Sequence, residues 1–294
     1  MRNIIYAIIA ICLPLGVLAQ NYNEYLSSAK KHLSTGDKDK AVYCYNVYKT
    51  MTGQSDIRFE LLLQKVAING ATSVERDTFF MEVPAEVVEL YRKAEQGDAG
   101  AQNNLGLCYD IGRGVEQNYS EAVKWYSKAA EQGNVDALFN LGLCYDIGRG
   151  VEQNYSEAVK WYNKAAEQGD ATAQCNLGYY YFYGIGMERN YSEAVKWFIK
   201  AAEQGDTFAQ NNLGLCYANG CGVEQNYAEA VKWFTRAAKE GDGMAQNNLS
   251  MCYKKGYGVK KNKAEAKKWF KEAWEAGCAD AKFALKKVGV ERHY

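Results

Sequence analysis

Proline is almost missing from this sequence. Pro14 and Pro84 are the only two, and none follows Pro84, so everything beyond is free of the residue a helix interior tolerates least. Histidine is as scarce. His32 and His293 stand near opposite ends, which argues against a His-based triad or a zinc cluster. There is no CxxC pair. Net charge is also absent, with 35 basic and 35 acidic residues, so nothing global points to nucleic acid or an anionic membrane. Beyond the first 19 residues no apolar run is long enough to span a bilayer. What is abundant is aromatic surface: 23 Tyr and 6 Trp. That supplies a core and argues against disorder.

The opening segment MRNIIYAIIAICLPLGVLA follows the plan of a signal peptide. Arg2 supplies the positive start, Ile4 to Val17 the apolar run, and Val17-Leu18-Ala19 the small-residue cleavage site. The expectation is cleavage before Gln20, no transmembrane span afterwards, and a periplasmic or extracellular protein, with the cell envelope as a candidate location. A lipoprotein site at Cys12 is disfavoured by the bulk of Ile11 before it.

Ala101, Ala137, Ala173, Ala209, Ala245 and Ala281 recur every 36 residues, and the stretch 105–126 returns letter for letter at 141–162. A period in this range marks a solenoid. In each repeat Ala101, Leu105, Cys108 and Tyr109 or their equivalents fall at helical spacing. Gly112 and Gly114 then end that first helix. A second helix opens on Asn118 with Glu121 three residues on, a capping-box pattern found five times in five repeats. The cap also accounts for the N-x-S sequons at Asn118, Asn154 and Asn190. The second helix is expected to bury Ala122, Trp125, Tyr126 and Ala129, and Gly133 stops it. Trp125 and Tyr109 head two aromatic columns, and Gly106 and the alanines supply the small neighbours that large rings need. One such hairpin cannot bury its face alone, so hairpins must stack.

The pattern A-x-x-N-L-G-x-x-Y-x-x-G-x-G-V followed by A-x-x-W-[YF]-x-K-A-A-E-Q-G resembles Sel1-like repeats, relatives of the tetratricopeptide repeat. Ser250, Met187 and Trp274 depart from it. The resemblance implies an all-α, right-handed superhelical solenoid of antiparallel helix pairs that serves as an adaptor for protein assembly. The expected organisation is a signal peptide at 1–19, tetratricopeptide-like helices at 20–69 and an irregular linker at 70–84. A partial repeat follows at 85–100, five full repeats at 101–280 and a capping helix at 281–294.

Cys108, Cys144, Cys216 and Cys252 share one position on the buried stripe, where Tyr180 stands in the third repeat. Packed helix axes lie ~8–10 Å apart, while a disulfide needs Cα atoms within ~7 Å. Same-position thiols are therefore expected to be buried and unbridged, filling space between helices. Cys221 and Cys278 are left open. Some exported Sel1-like proteins bridge two cysteines per repeat, but only Cys175 comes near that placement, so no disulfide is carried over. Ser27-Ser28-Ala29-Lys30 matches S-x-x-K, yet neither S-D-N nor K-T-G accompanies it. No catalytic residue, metal site or cofactor is expected.

The Asn column at 104, 140, 176, 212 and 248 either binds a partner's backbone or ties repeats together, and the family motif favours the structural role. From 245 to 294 basic residues outnumber acidic ones 12 to 5, a solvated cap face or a contact for an acidic partner. Helical angles set the candidate binding groove opposite the buried stripe. One column holds Leu107, Leu143, Tyr179, Leu215 and Met251. Another changes along the stack as Asp110, Asp146, Phe182, Ala218 and Lys254, and Phe139 and Tyr183 join them. The competing reading is that first helices are buried on two sides and need no ligand for a broad apolar face. The clustered rings of YYYFYG at 179–184 favour binding. The expected function is a non-catalytic exported scaffold that holds a protein or peptide on its concave face. A glycan or peptidoglycan binder and, on resemblance alone, a weak hydrolase are the alternatives.

Overall fold

A computed structural model describes residues 84–278, together with Ser27 and Lys31, which are helical and exposed. The expected signal segment, the N-terminal helices, the linker before Pro84, the 281–294 capping helix, Cys44 and both histidines lie outside the described residues. Eleven helices and no strands occur over the described stretch 84–278. They are α1 (Ala85–Glu95), α2 (Ala99–Ile111), α3 (Tyr119–Glu131), α4 (Val135–Ile147), α5 (Tyr155–Glu167) and α6 (Ala171–Tyr183). There follow α7 (Tyr191–Glu203), α8 (Thr207–Asn219), α9 (Tyr227–Lys239), α10 (Gly243–Lys255) and α11 (Lys263–Glu275).

Short polar residues and glycines set every boundary. Each first helix opens on Asp98, Asn134, Asp170, Asp206 or Asp242, whose side chain accepts from the amide three residues on at 2.6–2.9 Å. Each closes on a left-handed glycine: Gly112, Gly148, Gly184, Gly220 or Gly256, with φ of 69–82°. The second helices open on the expected Asn caps, which accept from the Glu amide at 3.1–3.2 Å. The return bond of the capping box does not form. The cap's own amide instead donates to the carbonyl of Tyr109, Tyr145, Tyr181, Tyr217 or Tyr253 at 2.8–3.0 Å, closing the loop onto the first helix. In four of the five repeats the freed Glu takes the Lys three residues on, a surface pair of small net value.

The chain divides into two compact units at Trp125/Tyr126. In the first, α1 packs on α2. Tyr91 meets Trp125 edge-on with centroids 5.5 Å apart, and the buried Gln102 side chain donates to the Ala94 carbonyl at 3.0 Å.

In the second unit α4 pairs with α5, α6 with α7, α8 with α9 and α10 with α11, while α5, α7 and α9 lean on the next first helix. Contacts run almost wholly between sequence neighbours, the mark of a solenoid. The fully buried ring of each second helix is the residue after the Trp: Tyr126, Tyr162, Phe198, Phe234 and Phe270. The expected Trp column holds at its ends, where Trp125 and Trp269 are buried, and is corrected between them. Trp161, Trp197 and Trp233 are only half-buried, and Lys164, Lys200 and Arg236 lie over their faces at 4.0–4.5 Å. The Tyr column is likewise half-buried in this unit. One residue of helix is a 100° turn, which in these three repeats decides which of two adjacent rings enters the core.

The motif glycine makes room for that ring. A Cβ at Gly142, Gly178 or Gly214 would stand 2.5–2.8 Å from a carbon of Tyr162, Phe198 or Phe234. The second glycine of each G-x-G lets one repeat touch the last. At Gly186, Gly222 and Gly258 a Cβ would meet backbone of Tyr155, Tyr191 and Tyr227 at 2.2–2.7 Å. A buried glutamine adds a polar tie that composition and spacing had not suggested. Gln174, Gln210 and Gln246 donate to the Ala166, Ala202 and Ala238 carbonyls of the preceding helix at 3.0–3.1 Å.

Candidate partner-binding surface

A concavity of about 530 Å³ in the second unit opens where the second repeat meets the third. Helix α6 contributes Asn176, Tyr179 and Tyr180, and the turn after it Ile185. Asp146 enters from α4, Tyr155 from α5 and Phe208 from α8. The Tyr180 hydroxyl donates to one carboxylate oxygen of Asp146, and the Tyr162 hydroxyl to the other at 3.4 Å. Burial pushes both phenols well above their ordinary range, and the Asp146 charge and hydrogen bond add to the effect. Both therefore remain donors at neutral pH.

Around this polar centre the rings form a connected set. Tyr180 meets Tyr155 at 6.4 Å, Tyr162 at 5.8 Å and Tyr179 at 6.5 Å, each near-perpendicular. Tyr179 continues to Tyr183 at 4.6 Å, Tyr183 to Phe182 at 5.0 Å and Phe182 to Tyr191 at 4.9 Å. Such edge-on arrangements suit the ring quadrupoles.

Of the candidate groove residues, Tyr179 is 37% exposed and Tyr183 59%. Phe182 is half-buried and packs on the core cluster of the third and fourth repeats. Phe139 is half-buried against the Tyr162 ring at 5.6 Å. Leu143 is half-buried, Leu215 packs on the core cluster of the fourth and fifth repeats, and Met251 is exposed. Leu107 and Asp110, in the first unit, are half-buried. Lys254 lies 5.6 Å from the centroid of Phe270. Asp146 and Tyr179 thus share one pocket, while Tyr155, Asn176, Tyr180, Ile185 and Phe208 were not foreseen as lining it. Tyr180 carried the signal, as the one break in the cysteine column.

The Asn column is not uniform. Asn248 donates to Asn211 at 2.8 Å and ties the fifth repeat to the fourth. Asn176 lines the pocket, and Asn104 is exposed.

Cys108, Cys144, Cys175, Cys216 and Cys252 are buried thiols, and Cys221 and Cys278 half-buried ones. Burial raises Cys216 to about 12 and Cys252 to about 11, with Cys221 adding to the former. Burial, then Asp206, raises Cys175 as well. Thiols so placed are poor nucleophiles.

Repeated helix hairpins stacked on neighbours and carrying a ring-lined hollow define an α-solenoid repeat protein of the kind that generally serves as an interaction scaffold. Residues 99–134, 135–170, 171–206, 207–242 and 243–278 each match the Sel1 repeat, and the chain belongs to the Sel1 repeat family. It is similar to the crystal structure of a Sel1 repeat protein from Oxalobacter formigenes, at 40% identity and a TM-score of 0.65, covering 71% of this chain and 90% of that one. It is also similar to c5321, a protective antigen of uropathogenic Escherichia coli with the same fold, at 29% identity and a TM-score of 0.66. That match covers 94% of this chain and 59% of c5321, so the chain spans about three fifths of that relative. No curated protein sequence matches.

Proposed function

We propose that this chain is an exported, non-catalytic scaffold that holds a protein or peptide partner on the ring-bearing face of its second and third repeats. One observation carries the reading. Tyr179, Tyr183, Tyr155 and Phe208 are 37–59% exposed, although a stack of this kind has cores for its rings. Clustered exposed aromatics are what interface hot spots are built from. The signal-peptide plan of residues 1–19 supports export. Rings beside Asp146 and Asn176 also suit a glycan, which is the second reading.

The test is capture of partners from envelope extract by the tagged chain, with and without digestion of cell-wall polymer. Tyr179→Ala and Tyr183→Ala should each weaken capture by about 1–3 kcal/mol and leave helical content and melting nearly unchanged. Capture that survives both substitutions, or variants that unfold, would place the rings in the core and end the reading. Capture lost only after wall digestion would favour the glycan.

A further inference from the structure

The Asp146 carboxylate is half-buried, and among the described residues it pairs with no Lys or Arg: its partners are the Tyr162 and Tyr180 hydroxyls. The pocket around it contains no basic residue at all. Two phenol donors occupy only part of the acceptor capacity of a carboxylate, which has about four lone-pair sites. Aromatic walls meanwhile present ring faces, and those faces attract cations. A negative charge taken partly out of water without a positive partner is a cost that a cation relieves.

The same position elsewhere in the unit does not repeat this chemistry. One repeat on, the Asp146/Tyr180 pair is replaced by Phe182/Cys216, and the next time by Ala218/Cys252. Phe182 and Cys216 belong to one core cluster, and Ala218 and Cys252 to the next. Of these three junctions, that of the second and third repeats is the one with a carboxylate beside rings.

Resting on the reading of this face as a partner-binding surface, we propose that the pocket takes a cationic side chain of the partner. A guanidinium from a protein or peptide would sit over Asp146 among Tyr155, Tyr179, Tyr180 and Phe208. A planar guanidinium stacks on rings and still reaches a carboxylate with parallel donors, which matches the two kinds of wall. The cation is the anchor, and the exposed rings toward Tyr183 take up the apolar part of the same segment.

The experiment needs no identified partner. N-acetyl-arginine amide and its neutral counterpart N-acetyl-citrulline amide are titrated into the full chain, and the tyrosine ring resonances are followed by NMR. The arginine probe should bind about tenfold more tightly, the scale of one charge-assisted contact. Asp146→Asn keeps the side-chain volume and should erase that preference. Phe208→Ala should weaken the arginine probe, and Tyr183→Ala, which lies outside the pocket, should leave it unchanged. Melting of each variant checks the fold. Equal binding of the two probes, binding of neither, or a preference that survives Asp146→Asn overturns the cation site. Each of those results leaves the partner-capture test standing, so the two ideas fail separately.

Discussion

Two junctions in the second unit share a backbone and differ in chemistry. Where the third repeat meets the fourth, Phe182 and Cys216 join a single apolar cluster with Phe198 and Leu213. Where the second meets the third, the equivalent residues are Asp146 and Tyr180, hydrogen-bonded to each other at the edge of a hollow. The caps, the left-handed glycines and the ring-to-glycine contact are the same on both sides. A repeat therefore fixes geometry through a few letters and leaves the other columns open to specialisation. Two substitutions convert an apolar seam into a polar, ring-walled pocket without disturbing the stack.

The largest effect should test the shared half of that comparison. Tyr162→Ala and Phe198→Ala remove fully buried rings from equivalent places at the two junctions, and each should cost about 3–5 kcal/mol in urea unfolding. Similar losses would uphold the equivalence of the two junctions, and a difference of several kcal/mol would break it. A smaller effect tests the divergent half. Tyr180→Cys imitates the fourth repeat but removes a donor from a half-buried carboxylate, which should cost about 1–3 kcal/mol. Adding Asp146→Phe completes the apolar pair found at 182/216 and should recover much of that loss while abolishing the arginine preference. No recovery would mean that the pocket is more than a swap at two columns.

The smallest effect is expected with pH. Tyr162 and Tyr180 have folded-state pKa values raised above the unfolded value of ~10. Their contribution is complete below that value, and it is lost as pH climbs above it, because the unfolded chain then releases phenolic protons that the fold retains. Stability should decline in mild alkali, and less steeply in a Tyr180→Phe variant. The ultraviolet phenolate signal of these rings should appear only with unfolding.

Much of the fold is legible in the letters because its causes are local. Asn154 before Glu157, Gly148 after Ile147 and Ala at every 36th place act within a turn or two of helix. Even so, the capping box was half right. The Asn caps as expected, but its amide is claimed by Tyr145, a residue nine positions back that the local pattern does not reach. The choice between Trp161 and Tyr162 for the core was equally hidden, since both satisfy the same coarse stripe. The 100° between them matters only once Gly142 is in place to receive one ring. The candidate site was legible in part: Tyr179 and Asp146, both candidate groove residues, line one pocket, while Phe208 reaches it from the next repeat.

From the sequence alone follow the helical hairpin, its period of 36, its caps and the identity of its small and large columns, since propensity, capping and periodicity act over a few residues. Tertiary structure alone decided which ring each glycine receives, that Gln174 bonds the helix before it, and that Asp146, Tyr180 and Phe208 from three repeats share one hollow. Those outcomes depend on the rotation and spacing between one hairpin and the next, and no single repeat encodes that quantity: it is set by the packing of two surfaces against each other.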